Sequence, residues 1–249
     1  MSSVISICIP AYSMNGRGAG YLRHSLEKLS HQTYCDFEVV VADQSDNGVL
    51  EDICNEFPGL DIRYLRTAQL KRQASANTNA AIDAAQGDVI KILFQDDFLN
   101  GADALGQIAA GFDDPNVSWC LTGSEHTRDG KTLIRPFVPR YHDRIHFGKN
   151  TVSSPSVLAF RREGAPRFDE ELVWLMDVDF YKRCALQWGA PLILPTPLAV
   201  NRMHDAQVSA GVDRNLVNKE LRYVRKKFCD GMSFGDWLHY LVRLRKTWI

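Results

Sequence analysis

Long hydrophobic runs are missing from this sequence. No stretch of its 249 residues approaches the roughly 20 consecutive apolar residues that a membrane-spanning helix needs. One sign of charge does not dominate either, because the formal net charge is −1. A balanced charge creates no overall field toward nucleic acid or a membrane, so we expect no nucleic-acid partner. Any attraction of that kind has to come from a local patch.

Paired cysteines are also missing. The six cysteines form no Cys-x-x-Cys pair and no zinc-finger spacing, which excludes structural zinc sites of those kinds. Scattered cysteines, and an N-terminus without a charged leader before its apolar run, favour a reducing compartment. We therefore expect a cytoplasmic protein.

Short β-branched segments alternate with helical patterns in the first hundred residues. Strands are predicted at 4–10, 37–42, 62–65 and 89–94, and helices at 22–30, 49–57 and 74–85. This alternation predicts an α/β fold with a mostly parallel central sheet flanked by helices. Ligands of such sheets bind outside the carboxyl ends of the strands, where several polar side chains fall.

The second half is less regular. Helices are predicted at 102–112, 176–188, 219–228 and 237–246, and strands at 119–122, 132–138, 157–161 and 191–201. The polar segment 139–151 between them is predicted to be an irregular loop. We place one α/β domain at 1–210 and a basic, aromatic helical extension packed on it at 211–249.

Asp96 and Asp97 follow an apolar strand directly. Two adjacent carboxylates repel each other and are costly to desolvate, and a bound divalent cation would remove that cost. Mg²⁺ or Mn²⁺ prefers carboxylate oxygens and commonly bridges them to substrate phosphates. An aspartate pair that caps the next helix is the alternative.

Three further polar positions have two interpretations each. Asp43, at the end of the second strand, either accepts hydrogen bonds from a base or ribose or serves the turn that follows it. Asp177, at the start of a helix, is either a cap or a general base, and Asp179 should point to a different face of that helix. His204, near Arg202, is either structural or a ligand for a pyrophosphate or a metal.

The stretch from residue 219 onward is basic, with interleaved aromatic residues. Such a stretch can rest on an anionic membrane surface, at the inner face of a membrane for a cytoplasmic protein. Alternatively, its charges are solvated and its aromatic side chains pack on the domain. The sequence leaves both interpretations open.

Five segments occur in an order that identifies a family. They are VISICIPAYS, SLEKLSHQTYCDFEVVVADQSDN, NAAIDAAQGDVIKILFQDD, FDEELVWLMDVDFYKRC and NRMHDAQVS. With these segments the chain resembles family 2 of the glycosyltransferases, which have the GT-A fold. The resemblance spans roughly residues 4 to 210 and is far more specific than any single motif.

The resemblance implies an inverting transfer of a sugar from a UDP-, dTDP- or GDP-sugar to a hydroxyl, in surface polysaccharide or glycan synthesis. It implies Mn²⁺ or Mg²⁺ as cofactor and a glycan or lipid-linked acceptor. Asp177 would be the catalytic base, and the metal site would comprise Asp96, Asp97 and His204. The nucleotide-sugar site would comprise Pro10, Ala11, Tyr12, Asp43, Arg72, Asn79, Gln95 and Asp96.

Some positions depart from the family pattern. The usual Asp-x-Asp motif has Phe94 or Gln95 in its first acidic place, and the usual Ala-Arg-Asn reads Asn77-Thr78-Asn79. Arg72 is the candidate to replace the missing arginine. Met176 stands where an acid is expected before the proposed base.

Two other functions compete with glycosyl transfer. A sugar nucleotidyltransferase on a related fold needs a Gly-rich basic loop directly after the first strand, and here Pro10-Ala11-Tyr12 intervenes. A non-catalytic relative that binds nucleotide sugars is consistent with the altered metal motif.

Overall fold

The computed structural model describes residues 4–68, 73–205, 212–230 and 232–246. The strands are β1 Ile5–Ala11, β2 Phe37–Asp43, β3 Ile62–Arg66, β4 Val89–Ile92, β5 Phe98–Leu99, β6 Trp119–Thr127, β7 Ile134–Phe137, β8 Leu158–Arg161 and β9 Leu192–Arg202. The helices are α1 Gly18–Ser30, α2 Val49–Asn55, α3 Ala74–Ala84, α4 Ala104–Ala110, α5 Met176–Trp188, α6 Arg214–Lys227 and α7 Phe234–Lys246. None of the helices within these ranges is long and apolar enough to cross a membrane.

The strands form one sheet in the order β3-β2-β1-β4-β8-β6-β9-β5, with β7 paired to β6. β3, β2, β1 and β4 pair in parallel, whereas β8 runs antiparallel to both of its neighbours. β6 and β9 are again parallel to each other. The expected mostly parallel α/β sheet is therefore confirmed.

Alternation along β1 explains why helices cover both faces of the sheet. Ile5, Ile7 and Ile9 lie in one apolar cluster, and Cys8 points into the other. All four side chains are fully buried, which contributes roughly 1.5–3 kcal/mol for each isoleucine. Helices α1, α2 and α4 cover the first face, whereas α3, α5 and the C-terminal helices α6 and α7 cover the second.

Several predicted boundaries shift. Helix α1 begins at Gly18, four residues before the predicted start, and β4 ends at Ile92. The segment 139–151 is anchored rather than a simple loop, because Ile145 and Phe147 in a short 3₁₀ turn are completely buried. Helix α6 begins at Arg214, where the side chain of Asp213 accepts a hydrogen bond from the backbone of Leu216.

Candidate active site

The parallel register of β1 and β2 sets one end of the site. Ala11 lies opposite Asp43 at the carboxyl ends of these strands. Pro10 and Ala11 are buried, whereas the next residue, Tyr12, is 46% exposed and lies beyond the strand end. The predicted nucleotide-contacting turn therefore opens next to Asp43.

Asp43 is buried and firmly held. One carboxylate oxygen accepts a hydrogen bond from the backbone of Ser45 at 2.7 Å, and the other accepts one from the Tyr64 hydroxyl at 2.7 Å. Each carboxylate oxygen can accept more than one hydrogen bond, so the group keeps capacity for a ligand donor. Tyr64, on the neighbouring strand β3, has no motif signal and was missed by sequence reasoning.

Asn77 on α3 ties these strand ends together. Its Nδ2 donates to the carbonyls of Ala11 at 3.0 Å and Ala42 at 2.8 Å, and its Oδ1 accepts from the Thr67 hydroxyl at 2.7 Å. Asn77, a position that departs from the family pattern, therefore links α3 to the carboxyl ends of β1 and β2.

Gln95 fastens the turn after β1 to the start of α1. Its Oε1 accepts a short hydrogen bond from the backbone of Tyr12, and its Nε2 donates to the carbonyl of Gly18 at 3.2 Å. A Cβ atom on Gly18 would lie 2.2 Å from the Tyr12 carbonyl oxygen. Only glycine permits this close approach of two backbones.

The two adjacent aspartates face different surroundings. Asp96 keeps 15% of its side chain exposed and lies 2.8 Å from Nε2 of His204. Partial burial of Tyr12, and then the negative charge of Asp96, raise the pKa of the Tyr12 hydroxyl. Asp96, His204 and Tyr12 therefore lie near one another beyond the carboxyl ends of the strands.

Asp97 turns into the fold. Its carboxylate accepts from the backbone of Arg202 at 2.9 Å and from the Ser154 hydroxyl at 3.2 Å. Burial, and then the charge of Asp96, raise its pKa to about 7. The expectation that Asp97 belongs to the metal shell does not match this place, because its oxygens stabilise the backbone of the late motif instead.

Arg202 and Tyr21 form the wall around His204. The guanidinium of Arg202 lies 4.9 Å from the ring centroid of Tyr21, and its Nε donates to the carbonyl of Asp96 at 3.0 Å. The Tyr21 ring stacks on the imidazole of His204 with 5.4 Å between centroids. Tyr21 carries no motif signal in the sequence, so its contribution was missed.

Asp177 lies in the first turn of α5. Its carboxylate accepts a 2.7 Å hydrogen bond from Nδ2 of Asn150 and another from the backbone of Val178. Burial raises its pKa from the usual 3.8 to about 7. Asp179 has other partners, since it pairs with Arg183 at 2.7 Å and Lys227 at 2.8 Å. The two acids on this helix therefore do point in different directions.

The segment 150–154 joins the proposed base to the acid pair. Asn150 donates to Asp177, and it also donates to the carbonyl of Ser153 at 2.9 Å. The neighbouring Ser154 donates to Asp97. Hydrogen bonds from the five-residue stretch 150–154 therefore connect Asp177 with Asp97, and this stretch carries no motif in the sequence.

One predicted donor contact, Asn79, has its partners elsewhere in the fold. Nδ2 of Asn79 donates to the carbonyl of Phe168 at 2.9 Å, and its Oδ1 accepts from the backbone of Phe168 at 2.9 Å. Asn79 therefore anchors the segment before α5, because both ends of its amide are already used. Arg72 lies outside the described residues.

A divalent cation fits the donor set that Asp96 and His204 present. Within the described ranges no group of three or more His, Cys, Asp or Glu side chains could hold a metal ion. Mg²⁺ commonly uses only one or two protein carboxylates and completes its shell with substrate phosphates and water. A partly exposed carboxylate next to an imidazole at a strand end meets that requirement.

The family model for glycosyl transferase family 2 matches residues 6–165. The chain belongs to this family. Its GT-A fold is equally clear: a structure of S. aureus TarS 1–349 in complex with UDP-GlcNAc superposes with a TM-score of 0.69 at 18% identity, covering 98% of this chain and 71% of that one. The mannosyltransferase PcManGT from Pyrobaculum calidifontis, in complex with GDP-Man and Mn²⁺, gives a TM-score of 0.68 at 17% identity, covering 98% and 70%.

Sequence relatives are longer than this glycosyltransferase family member. EpsH of Bacillus subtilis is 25% identical over 124 residues, which cover 50% of this chain and 36% of EpsH. The family match covers Asp43, Asp96 and Asn150. Asp177 and His204 lie beyond the matched residues.

Proposed function

We propose that this protein is an inverting glycosyltransferase that moves a sugar from a nucleoside diphosphate to a hydroxyl acceptor. The observation that carries the proposal is that Asp43 and Asp96 come at or after the carboxyl ends of the parallel strands β2 and β4, with His204 2.8 Å from Asp96. The segment 150–154 holds a further carboxylate of raised pKa, Asp177. Family membership and the nucleotide-sugar complexes of two structures with this fold support it.

The nucleotide binds at the ends of β1 and β2 in this scheme. Asp43 accepts hydrogen bonds from the base, and the turn at Pro10, Ala11 and Tyr12 lies against the nucleoside. Asp96 and His204 would hold the Mn²⁺ or Mg²⁺, which would supply positive charge next to the leaving diphosphate. Arg202 and Tyr21 keep His204 in place.

Asp177 takes the proton in the reaction. The acceptor oxygen forms a bond to the anomeric carbon while the bond from that carbon to the diphosphate oxygen breaks. The hydroxyl proton passes to a carboxylate oxygen of Asp177, and the electron pair of the broken bond leaves with the diphosphate. A pKa near 7 suits this step, because about half of the base is ionised at neutral pH and the carboxylate still has driving force for proton uptake.

The direct test is a transfer assay with UDP-, dTDP- and GDP-sugars, Mn²⁺, and glycan or lipid-linked acceptors. The proposal expects transfer with inverted anomeric configuration, read by NMR of the product. Retained configuration would exclude the single displacement at Asp177. Release of pyrophosphate from a nucleoside triphosphate would indicate a nucleotidyltransferase, and nucleotide binding without turnover would indicate a non-catalytic relative.

The exposed face of helix α7 and the charge around it favour a location at the inner, cytoplasmic face of a membrane. Residues 212–246 without 231 contain nine lysines and arginines against four acids, although the whole chain carries −1. One face of α7 exposes apolar side chains at helical spacing: Phe234, Trp237, Leu238, Leu241 and Val242. An apolar stripe beside positive charge matches helices that lie in an anionic lipid interface.

Vesicle co-sedimentation tests this contact. We expect binding to vesicles that contain phosphatidylserine, weaker binding to pure phosphatidylcholine, and loss of binding in Trp237→Glu. Leu186→Glu is the matched control, because Leu186 is 63% exposed but lies on α5. Equal binding by Trp237→Glu and wild type would exclude α7 as the lipid-binding face.

A further inference from the structure

Glu220 is a buried carboxylate that the scheme above does not use. It lies on α6 beside Leu221, and only 2% of it is exposed. A carboxylate in such a place is costly unless hydrogen bonds compensate for the lost water. The hydrogen-bond partners of Glu220 therefore indicate its role.

Those partners are three consecutive backbone N–H groups at the entrance to α5. One oxygen of Glu220 accepts from Val173 at 2.7 Å, and the other accepts from Trp174 at 3.0 Å and Leu175 at 2.8 Å. Leu175 occupies the N-cap position of α5, but its side chain cannot accept a hydrogen bond. Glu220 thus supplies the cap from a helix more than forty positions away, where a negative charge also suits the helix dipole.

The same face of α6 holds the segment on both sides of this cap. Lys227 pairs with Asp169 at 2.6 Å and with Asp179 at 2.8 Å, and the Tyr223 hydroxyl donates to Asp169 at 2.9 Å. Positions 220, 223 and 227 lie on one side of a helix. The C-terminal extension therefore contacts the chain before Asp177, at residues 169 and 173–175, and after it, at Asp179.

We propose that Glu220 is a positioning residue for Asp177, through its hydrogen bonds to residues 173–175. Asp177 is the second residue of α5, so the backbone that Glu220 holds sets where its carboxylate points. Glu220 touches no reacting atom. The inference rests on the proposed function and gives the C-terminal extension a part in it, beyond its contact with lipid.

The negative charge of Glu220 predicts an effect on the pH dependence of the rate, which a residue that only supports the fold would not have. Burial is the main cause of the raised pKa of Asp177, and the negative charge of Glu220 adds to it. Glu220→Gln keeps the shape but removes the charge, so the pKa of Asp177 should fall. The acid limb of the rate profile, where activity appears as Asp177 ionises, should then move to lower pH.

The test compares three purified variants with wild type. Glu220→Gln should lower kcat roughly 10- to 100-fold, leave the KM for the donor unchanged, and move the acid limb down. Glu220→Asp keeps the charge but is too short to reach all three N–H groups, so kcat should fall while the acid limb moves less. Glu163→Gln, an exposed glutamate, is the matched control and should behave as wild type.

Hydrogen exchange reports the contact without any turnover. Amides 173–175 should exchange faster in Glu220→Gln than in wild type. Wild-type kcat and acid limb in both Glu220 variants would overturn the positioning role. Absence of transfer by wild type, with exchange at 173–175 still dependent on Glu220, would instead overturn the proposed function and leave Glu220 only a structural cap.

Discussion

Asp177→Asn is expected to abolish sugar transfer and to make the folded protein more stable at alkaline pH. Burial raises the pKa of this carboxyl from 3.8 to about 7, whereas in the unfolded chain it ionises near 3.8. Between these values the folded protein holds a proton that the unfolded chain has released. The free energy of unfolding therefore falls as the pH rises from 3.8 to 7, and the whole cost is present above pH 7.

The size of the gain follows from that shift. About three pKa units at ~1.4 kcal/mol each set an upper limit of ~4 kcal/mol for the cost of the charge. Water reaches part of the side chain, and an asparagine amide facing Nδ2 of Asn150 loses a hydrogen bond worth ~1 kcal/mol. We expect a net gain of roughly 1–3 kcal/mol at pH 8, or roughly 2–4 °C in Tm per kcal/mol, and a smaller gain at pH 5.

Two assays check the prediction. Thermal unfolding of wild type and Asp177→Asn at pH 5 and pH 8 measures stability, with Asp113→Asn as the exposed control. Kinetics should show a loss of kcat of roughly 10²- to 10⁴-fold in the variant, and in wild type a rate at pH 6 of about one tenth of the plateau. An undiminished transfer rate in Asp177→Asn, or a wild-type rate that is flat from pH 5 to 8, would refute Asp177 as the base.

Two further substitutions test the nucleotide end of the site. Gly18→Ala should lower Tm and raise the KM for the donor, because the new Cβ would lie 2.2 Å from the Tyr12 carbonyl oxygen; Gly20→Ala, with no atom within 4 Å of its Cβ, should do neither. Tyr64→Phe should lower the free energy of unfolding by roughly 1–3 kcal/mol in urea titrations, because buried Asp43 loses a donor; unchanged stability would contradict that.

Local patterns predicted much of the fold and one end of the site. The parallel strands β1, β2 and β4 are short, β-branched and bounded by turn residues, so the place of Asp43 and Asp96 at their carboxyl ends could be read from the sequence. Met176–Trp188 was predicted with the observed bounds, because apolar spacing continues up to Gly189.

Contacts between distant residues account for what was missed. The two-residue strand β5 forms only because β9 pairs with it, and Ile145 and Phe147 are buried in a polar stretch because the C-terminal helices pack on them. Glu220 resembles any charge on a basic amphipathic helix until the fold brings it to residues 173–175. Such partners have no local period or motif that a single sequence could display.

Calorimetric titration of UDP and GDP into the protein, with and without Mn²⁺, tests the central claim most directly. The shared site of Asp96 and His204 predicts that at least one nucleotide binds in a Mn²⁺-dependent way, and that Asp96→Asn weakens this binding at least roughly 10-fold while binding without the metal changes little. No binding of either nucleotide, or binding indifferent to both Mn²⁺ and Asp96, would contradict it.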